Sequence, residues 1–181
     1  RLRLETEMSV SDLDARAHMA ADIAQLDAII GKFLDYARPE KEKLTPVVLS
    51  DVVEACTYSY QNQPDVQIKI QLEDNLLVLA DEVELGRIVS NLLENARRYG
   101  KSADSGIASI QIAAIARDKW VLMKIRDHGI GVAAEQLSNL TQPFYRGEAA
   151  RTAANGAGLG LAIVEKTVQR MGGAFSLTNA T

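Results

Sequence analysis

The sequence predicts an α/β two-layer sandwich, with a mixed and mostly antiparallel sheet under helices, preceded by a helical hairpin that forms part of a dimeric four-helix bundle. Two observations lead to this prediction. Before Pro39, apolar residues recur at alternating spacings of four and three, which is typical of a coiled-coil seam. After Pro39, blocks of helical pattern alternate with strands that are expected to pair antiparallel, which favours a sandwich over a doubly wound parallel sheet.

The N-terminal seam consists of six residues on one helix face. They are Met19, Ile23, Leu26, Ile30, Phe33 and Ala37. An earlier helix, entered partway along its length at Arg1, is expected to end near Met8, and Ser11 or Asp12 is expected to cap the next helix. Because one short hairpin cannot bury this seam, a second copy is predicted to cover it. The alternative, that the hairpin packs on its own downstream domain, stays open.

The remaining elements follow from hydrophobic periodicity and capping signals. A helix is predicted over residues 50 to 61, and strict alternation predicts a strand over residues 66 to 72. A short strand at 76 to 80 precedes Asp81, which begins a capping-box-like start for the next helix. Residues 109 to 115 and 121 to 126 are predicted to pair antiparallel around a turn at 117 to 119. A helix over 160 to 171 and a strand at 174 to 177 complete the pattern.

Composition narrows the functional classes. The chain has 181 residues, 47% of them hydrophobic, and a net charge of −4, which argues against a nucleic-acid partner. No apolar run reaches the ~18 residues that a membrane span needs, and no secretory signal pattern is present. Cys56 is the single cysteine, so neither a disulfide framework nor a thiolate metal cluster is expected, and a reducing cytosol fits.

The helix that follows Asp81 carries two asparagines one turn apart. At about 100° per residue, a continuous polar stripe forms on this helix. Its members are Glu84, Arg87, Asn91, Asn95 and Arg98. Asparagine is a poor helix former because its amide competes for backbone hydrogen bonds, so the pair suggests a ligand. A solvated polar face is the alternative.

Two glycine-bearing segments lie downstream of this helix. Asp127 closes a strand and is followed by Gly129 and Gly131, so a carboxylate and an accessible backbone are available to a flat ring. A carboxylate accepts from the exocyclic amine of adenine but would face the carbonyl oxygen of guanine. An ordinary Asp-Gly turn is the alternative, and His128 is expected to face solvent.

The second glycine-rich segment, residues 155 to 164, opens directly into a helix whose free amides favour phosphate. It lacks both the Gly-Lys-Ser/Thr ending of a P-loop and the strand that precedes a dinucleotide-binding fingerprint. Residues 144 to 155 before it are small, polar and arginine-bearing, which is typical of a mobile lid. A disordered surface loop is the alternative for this stretch.

Together these segments resemble the N, G1, F and G2 boxes of sensor histidine kinases of two-component systems, in the same order. The residues that carry the resemblance are Asn91, Asn95, Ala96, Arg98, Tyr99, Asp127, Gly129, Gly131, Pro143, Phe144, Tyr145, Arg146, Gly147, Gly156, Gly158, Leu159, Gly160 and Leu161. Within that family, residues 1 to 8, the seam and residues 146 to 152 are most similar to the EnvZ/RisS osmosensor group. The resemblance implies a dimerisation and phosphotransfer hairpin at 1–38, a linker at 39–46 and a Bergerat-type (GHKL) ATP-binding domain at 47–181.

The resemblance further implies ATP and Mg²⁺ as cofactors and a role for each box in binding them. Asn95 would give its side-chain oxygen to Mg²⁺, and Asn91 would contact phosphate or metal-bound water. Arg98 would neutralise phosphate charge, Tyr99 would flank the base or ribose, and Asp127 would accept from the adenine amine. The other implied contacts are Gly129 and Gly131 at the base, Phe144 as the lid anchor, Arg146 and Arg151 at the γ-phosphate, and Gly156, Gly158, Leu159 and Gly160 around the phosphates.

The resemblance thus implies the cytoplasmic kinase core of a bacterial inner-membrane sensor, which would be attached to the membrane only through other parts of its parent protein. It would transfer the ATP γ-phosphoryl group to a histidine, for relay to the receiver domain of a response regulator. The resemblance implies that this histidine lies just before Arg1, in a His-Asp/Glu-x-Arg-x-Pro setting. His18 is followed by Met19-Ala20-Ala21 and fits no such motif, so it is not expected to be the acceptor. The resemblance also implies a final strand of the sheet after Thr181.

Two alternative functions stay open. The first is an ATP hydrolase of the same fold, which would place a glutamate four residues before the metal asparagine as a general base. Asn91 occupies that position here and favours the kinase. The second is a non-catalytic nucleotide-binding dimerisation module.

Overall fold

The structure is a computed structural model that describes residues 13–37, 43–102, 104–146 and 157–179. Several predicted features therefore lie outside the described residues. These are the earlier helix and its turn, most of the charged linker, the central lid residues with Arg151, and Gly156. The described elements in chain order are α1 (Leu13–Ala37), β1 (Thr45–Val48), α2 (Leu49–Tyr58), β2 (Val66–Leu72), β3 (Leu77–Ala80), α3 (Glu82–Tyr99), β4 (Ala108–Arg117), β5 (Trp120–Arg126), α4 (Ala134–Leu137) and α5 (Gly160–Arg170).

The strands form two small sheets in which antiparallel pairing predominates. β1 pairs antiparallel with β3, and β4 lies between β2 and β5. β4 runs parallel to β2 and antiparallel to β5, so that Ile112 is paired with both Ile70 and Ile125. The mixed, mostly antiparallel sheet expected from the sequence is confirmed.

The hydrophobic core lies between these strands and one layer of helices. Alternate residues of β4, including Ile110 and Ile112, are fully buried. They belong to one cluster with Leu49 and Val53 of α2 and with buried apolar residues of α3. Within α3, Leu93 is fully buried and Leu92 is partly buried. This two-layer packing confirms the predicted sandwich.

The predicted strand at 174 to 177 is wrong, because the described residues after α5 form no ladder. Side-chain exposure nonetheless alternates there, with Phe175 and Leu177 partly buried and their neighbours exposed. Alternating side-chain exposure indicates an extended backbone on a half-buried surface. A strand also needs a neighbouring strand with which to form backbone hydrogen bonds. The pattern alone could not supply that partner.

The α1 seam is mostly exposed in the single chain, and none of the described helices could cross a membrane. Ile30 is 54% exposed and Phe33 is 47% exposed. The C-terminal end of α1 nevertheless contacts α5, because Lys166 donates a hydrogen bond to the Tyr36 carbonyl at 2.8 Å. The same ammonium lies 4.5 Å from the centroid of the Tyr36 ring. Intrachain packing therefore covers the end of α1 and leaves most of the seam uncovered.

Candidate functional site

Three members of the polar stripe of α3, Glu84, Asn91 and Asn95, lie against α5. At the start of α3, Asp81 caps the helix by accepting a hydrogen bond from the Glu84 amide at 3.0 Å. The Glu84 side chain is buried, and its carboxylate lies 3.1 Å from a guanidinium nitrogen of Arg87 and 3.5 Å from one of Arg170. Because Arg170 is the last residue of α5, the start of α3 is joined to the end of α5.

The two asparagines lie at the opposite end of this helix pair, against the start of α5. A Cβ atom at Gly160 would lie 3.4 Å from Asn91 Oδ1 and 3.6 Å from Asn95 Nδ2. Asn91 Nδ2 donates to the Arg87 carbonyl at 2.9 Å, which leaves its oxygen towards Gly160. α3 and α5 are therefore antiparallel, and the first residue of α5 meets both amides.

The Asn95 amide nitrogen is buried and has no hydrogen-bond partner among the described residues. An unsatisfied buried donor costs about 1–3 kcal/mol, so such a group marks a place where an acceptor is expected to bind. Glycine at position 160 keeps the space beside this amide free of a side chain. An oxygen-rich ligand such as phosphate fits this position.

The N-terminus of α5 adds donors at the same place. α5 has 11 residues, and no side chain caps its first turn. The free amides and the helix dipole favour an anion there. The Leu159 side chain is fully buried in the core. This predicted phosphate-binding residue can therefore contribute only its backbone. The orphaned Asn95 amide and the uncapped helix thus point to one anion site.

The loop after β5 packs on the C-terminal end of α3. A Cβ at Gly129 would lie 2.5 Å from the Tyr99 carbonyl oxygen, and one at Gly100 would lie 2.5 Å from Asp127 Cβ. Asp127 Oδ1 accepts a hydrogen bond from the Gly129 amide at 2.9 Å. Asp127 and His128 are both exposed, as expected for His128. Since Tyr99 follows Asn95 by one helical turn, the loop carboxylate and the anion site share one side of α3.

The segments around Phe144 and Gly158 also meet. The Phe144 amide donates to the Gly158 carbonyl at 2.9 Å, and a Cβ at Gly158 would lie 2.8 Å from the Phe144 carbonyl carbon. Phe144 itself has φ 65° and is 58% exposed, an uncommon backbone conformation for a bulky residue. Such strain is frequent at ligand clamps. Arg146 is partly buried at the end of the described segment.

Arg98 is engaged within its own helix. Its Nε donates to Glu94 Oε1, and Arg97 also donates to Glu94, at 3.1 Å from Nε. Burial acts to raise the pKa of the Glu94 carboxyl, but the hydrogen bonds from the two arginines outweigh it, so the pKa is lowered. The spacing of Glu94 and Arg98 is one that pairs charges on a helix, so this contact could have been read from the sequence.

Two further residues of the site region were missed at the sequence level. Arg170 pairs with Glu84, 86 residues earlier in the chain, and Asn179 bonds to Val132, 47 residues earlier. Neither contact has a local sequence signal. The predicted residues that the fold brings together are Asn91, Asn95 and Gly160, then Tyr99, Asp127 and Gly129, and then Phe144 and Gly158.

The donor set determines which metal the site could hold. Among the described residues there is no cluster of three or more His, Cys, Asp or Glu side chains that could bind a metal. The asparagine amides can offer oxygen, and Mg²⁺ characteristically takes one or two protein oxygens together with substrate phosphates. The residues present therefore fit Mg²⁺ only in company with a phosphate ligand.

Comparison with known proteins identifies a family match over more than half of the chain and relatives that are histidine kinases. Residues 80–181 match the family of histidine kinase-, DNA gyrase B- and HSP90-like ATPases. Signal transduction histidine-protein kinase BaeS of Escherichia coli is 40% identical over 109 residues, which are 60% of this chain and 22% of BaeS. The histidine-protein kinase/phosphatase MprB of Mycolicibacterium smegmatis is 30% identical over 165 residues, which are 90% of this chain and 32% of MprB. The chain thus spans about a third or less of these two relatives.

Solved structures share the fold. A crystal structure of full-length ShkA in complex with AMPPNP matches 99% of this chain and 39% of ShkA, with a TM-score of 0.71 and 24% identity. The Acinetobacter baumannii histidine kinase AdeS matches 93% of this chain and 80% of the AdeS chain, with a TM-score of 0.68 and 19% identity.

Proposed function

Because this chain belongs to the histidine kinase-, DNA gyrase B- and HSP90-like ATPase family, we propose that it is the kinase core of a two-component sensor histidine kinase. It transfers the γ-phosphoryl group of ATP to a histidine, which then passes it to an aspartate in the receiver domain of a response regulator. The names of BaeS and MprB, both histidine-protein kinases, support this proposal.

The observation that carries the proposal is the amide of Asn91 beside Gly160. Hydrolysis of ATP needs a base to activate water, and an amide cannot accept that proton. A neutral imidazole, with a reference pKa of ~6.5, is already a nucleophile at neutral pH and needs no such base. Phosphoryl transfer to histidine then depends mainly on positioning and charge neutralisation. Asn91 thus favours the kinase over the hydrolase.

We assign the nucleotide to the surface between α3, α5 and the loop after β5. The triphosphate binds at the start of α5, where Asn95 offers an oxygen to Mg²⁺ and Asn91 contacts phosphate or metal-bound water. Mg²⁺ supplies charge neutralisation on the phosphates when it is bound. Asp127 accepts from the adenine amine beside Tyr99, and Arg146 and Arg151 reach the γ-phosphate. The unsatisfied Asn95 amide nitrogen, a donor, supports phosphate at this position, and the close packing of Gly129 on Tyr99 supports the base at the loop.

Arg98 is proposed to neutralise phosphate charge, and its bond to Glu94 bears on that role. As described, the guanidinium is directed along α3 to the carboxylate. To contact phosphate it would exchange one charged acceptor for another, an exchange that costs little because both partners are anions. Arg98 therefore keeps its proposed phosphate role, and it contacts phosphate only after leaving Glu94.

A transfer assay tests the proposed function. The two histidines of the sequence are His18 and His128, and neither lies in an acceptor motif. With γ-phosphate-labelled ATP and Mg²⁺, we expect acid-labile, base-stable label on a separately added histidine-bearing hairpin and none on this chain. Transfer should be slow, because an untethered hairpin lacks the effective concentration that a linker provides.

Other outcomes of this assay would contradict the proposal. Label on the chain itself would make His18 or His128 an acceptor. Steady release of free phosphate without label on the hairpin would favour the hydrolase. Nucleotide binding with neither transfer nor phosphate release would favour the non-catalytic module.

We further propose that residues 1–38 form a homodimeric hairpin of the EnvZ/RisS type, joined by residues 39–46 to the ATP-binding domain at 47–181. On this proposal the chain is the cytoplasmic portion of a bacterial inner-membrane sensor, to which a response regulator docks. The exposed apolar side chains of Met19, Leu26, Ile30 and Phe33 support the dimer, since such a surface is expected to be covered.

Replacing Ile30 with aspartate is expected to make the chain monomeric, because a charge in the middle of a buried seam is costly. Light scattering at tens of micromolar protein would show the change of mass. Ala28→Asp adds the same charge to an exposed position on the opposite face of α1 and should leave the dimer intact. A monomeric unmodified chain at this concentration would show that the seam does not drive association.

A further inference from the structure

The side chain of Asn179 holds the loop after β5 through two hydrogen bonds to one residue. Asn179 Oδ1 accepts from the Val132 amide at 3.1 Å, and Asn179 Nδ2 donates to the Val132 carbonyl at 2.6 Å. The amide thereby satisfies the donor and the acceptor of one backbone unit, as a neighbouring strand would. A residue beyond α5 thus fixes the end of a loop that begins at Asp127.

Gly131 is suited to this contact in two respects. Its φ of +72° is a conformation that glycine adopts without steric cost. A Cβ at position 131 would also lie 3.0 Å from Asn179 Oδ1, closer than an ordinary contact. Any larger residue would therefore push the Asn179 amide away from Val132.

The loop is consequently held at two points. At its start, Gly129 packs on the Tyr99 carbonyl and donates to Asp127 Oδ1 at 2.9 Å. At its end, Asn179 binds Val132. Of the two residues between these points, Ile130 is 81% exposed and contributes little to holding the loop by packing. The Asn179 amide is thus the main described contact that restrains the end of the loop.

We propose that Asn179 is a positioning residue for the adenine-binding loop, acting through Val132 and Gly131 without touching the nucleotide. This inference rests on the proposed function, in which Asp127 receives the base. Without the Asn179 amide, the loop populates conformations in which the Asp127 carboxylate is not placed to accept from adenine. The apparent affinity for the nucleotide then falls in proportion to the fraction of molecules whose loop is in the binding conformation. The phosphate end of the site, built on α3 and α5, is independent of this contact.

The experiment compares Asn179→Ala with Thr178→Ala, an exposed neighbour with no hydrogen bond described for its side chain. Titration calorimetry with Mg²⁺ measures the affinities of ADP and of inorganic tripolyphosphate. For Asn179→Ala we expect ADP to bind about three- to tenfold more weakly, the effect of losing roughly one net hydrogen bond. Tripolyphosphate should bind as it does to the unmodified chain, and Thr178→Ala should change neither affinity.

In the transfer assay, the same variant should raise KM for ATP and leave kcat unchanged, because only base positioning is altered. If Asn179→Ala shows no cooperative thermal unfolding, Asn179→Ser, which keeps a small hydroxyl, is judged by the same criteria. Unchanged ADP affinity, or equal weakening of ADP and tripolyphosphate, overturns the positioning role. If the unmodified chain itself binds no ADP, the proposed function fails and the inference fails with it.

Discussion

Replacing Asn95 with alanine is expected to slow phosphoryl transfer to the added hairpin by about a hundredfold or more, the loss that follows removal of one preorganised polar group from a charged transition state. The Asn95 amide nitrogen is buried beside Gly160 without a hydrogen-bond partner among the described residues. Its removal deletes the amide oxygen proposed for Mg²⁺ and leaves the polyphosphate poorly aligned.

The measurement is the initial rate of label transfer at saturating ATP, together with ADP affinity in the presence and absence of Mg²⁺. The Mg²⁺-dependent part of the affinity should disappear, and the Mg²⁺-independent part should change little. Gln71→Ala is a matched control, because it removes an exposed amide from β2, away from α3 and α5. If Asn95→Ala transfers the phosphoryl group at the rate of the unmodified chain, Asn95 is not a ligand of Mg²⁺.

The second large effect is expected on stability. Glu84→Ala should lower the free energy of unfolding by about 3–5 kcal/mol, because it removes one partner of a buried ion pair. Both side chains of the Glu84–Arg170 pair are only 6% exposed. Arg170 Nη2 also lies 3.3 Å from Thr167 Oγ1. Since domains of this size are stable by about 5–15 kcal/mol, this loss is a large fraction of the total.

Urea unfolding followed by circular dichroism measures this change. Glu54→Ala, an exposed glutamate on α2, should alter the free energy by no more than about 0.5 kcal/mol. Glu84→Gln keeps hydrogen-bonding capacity at the position and should cost less than alanine does. If Glu84→Ala and Glu54→Ala have equal free energies of unfolding, the Glu84–Arg170 ion pair does not stabilise the packing of α3 on α5.

Local signals in the sequence determined most of the secondary structure. The strand predicted over residues 66 to 72 is β2 with the same bounds, because strict alternation over a half-buried surface is a period-two signal that needs no tertiary information. Asp81 caps α3 as predicted, since the capping bond spans only three residues. The turn between β4 and β5 contains Asp118 at φ 53°, a conformation that aspartate tolerates.

The four boxes could also be recognised in the sequence, because each of them spans only a few consecutive residues. What could not be read was which surface they would share. The periodicity predicted a polar stripe on α3, but the partner of Glu84 proved to be Arg170 of α5, and the loop after β5 is restrained by Asn179. The segment at 174 to 177 has strand-like alternation and no ladder in the described structure.

By itself, then, the sequence determined most of the helices and strands, the family and the set of polar residues available for a site. It did not predict β1 or the short helix α4, and the strand predicted at 174 to 177 is absent from the described structure. Only the tertiary structure decided that Gly160 lies between Asn91 and Asn95, and that Asp127 lies at the end of the same helix. The physical reason is the range of the interactions. Capping, alternation and turn preference act over a few residues, whereas these contacts join positions tens of residues apart and form only when α3 and α5 pack over the sheet.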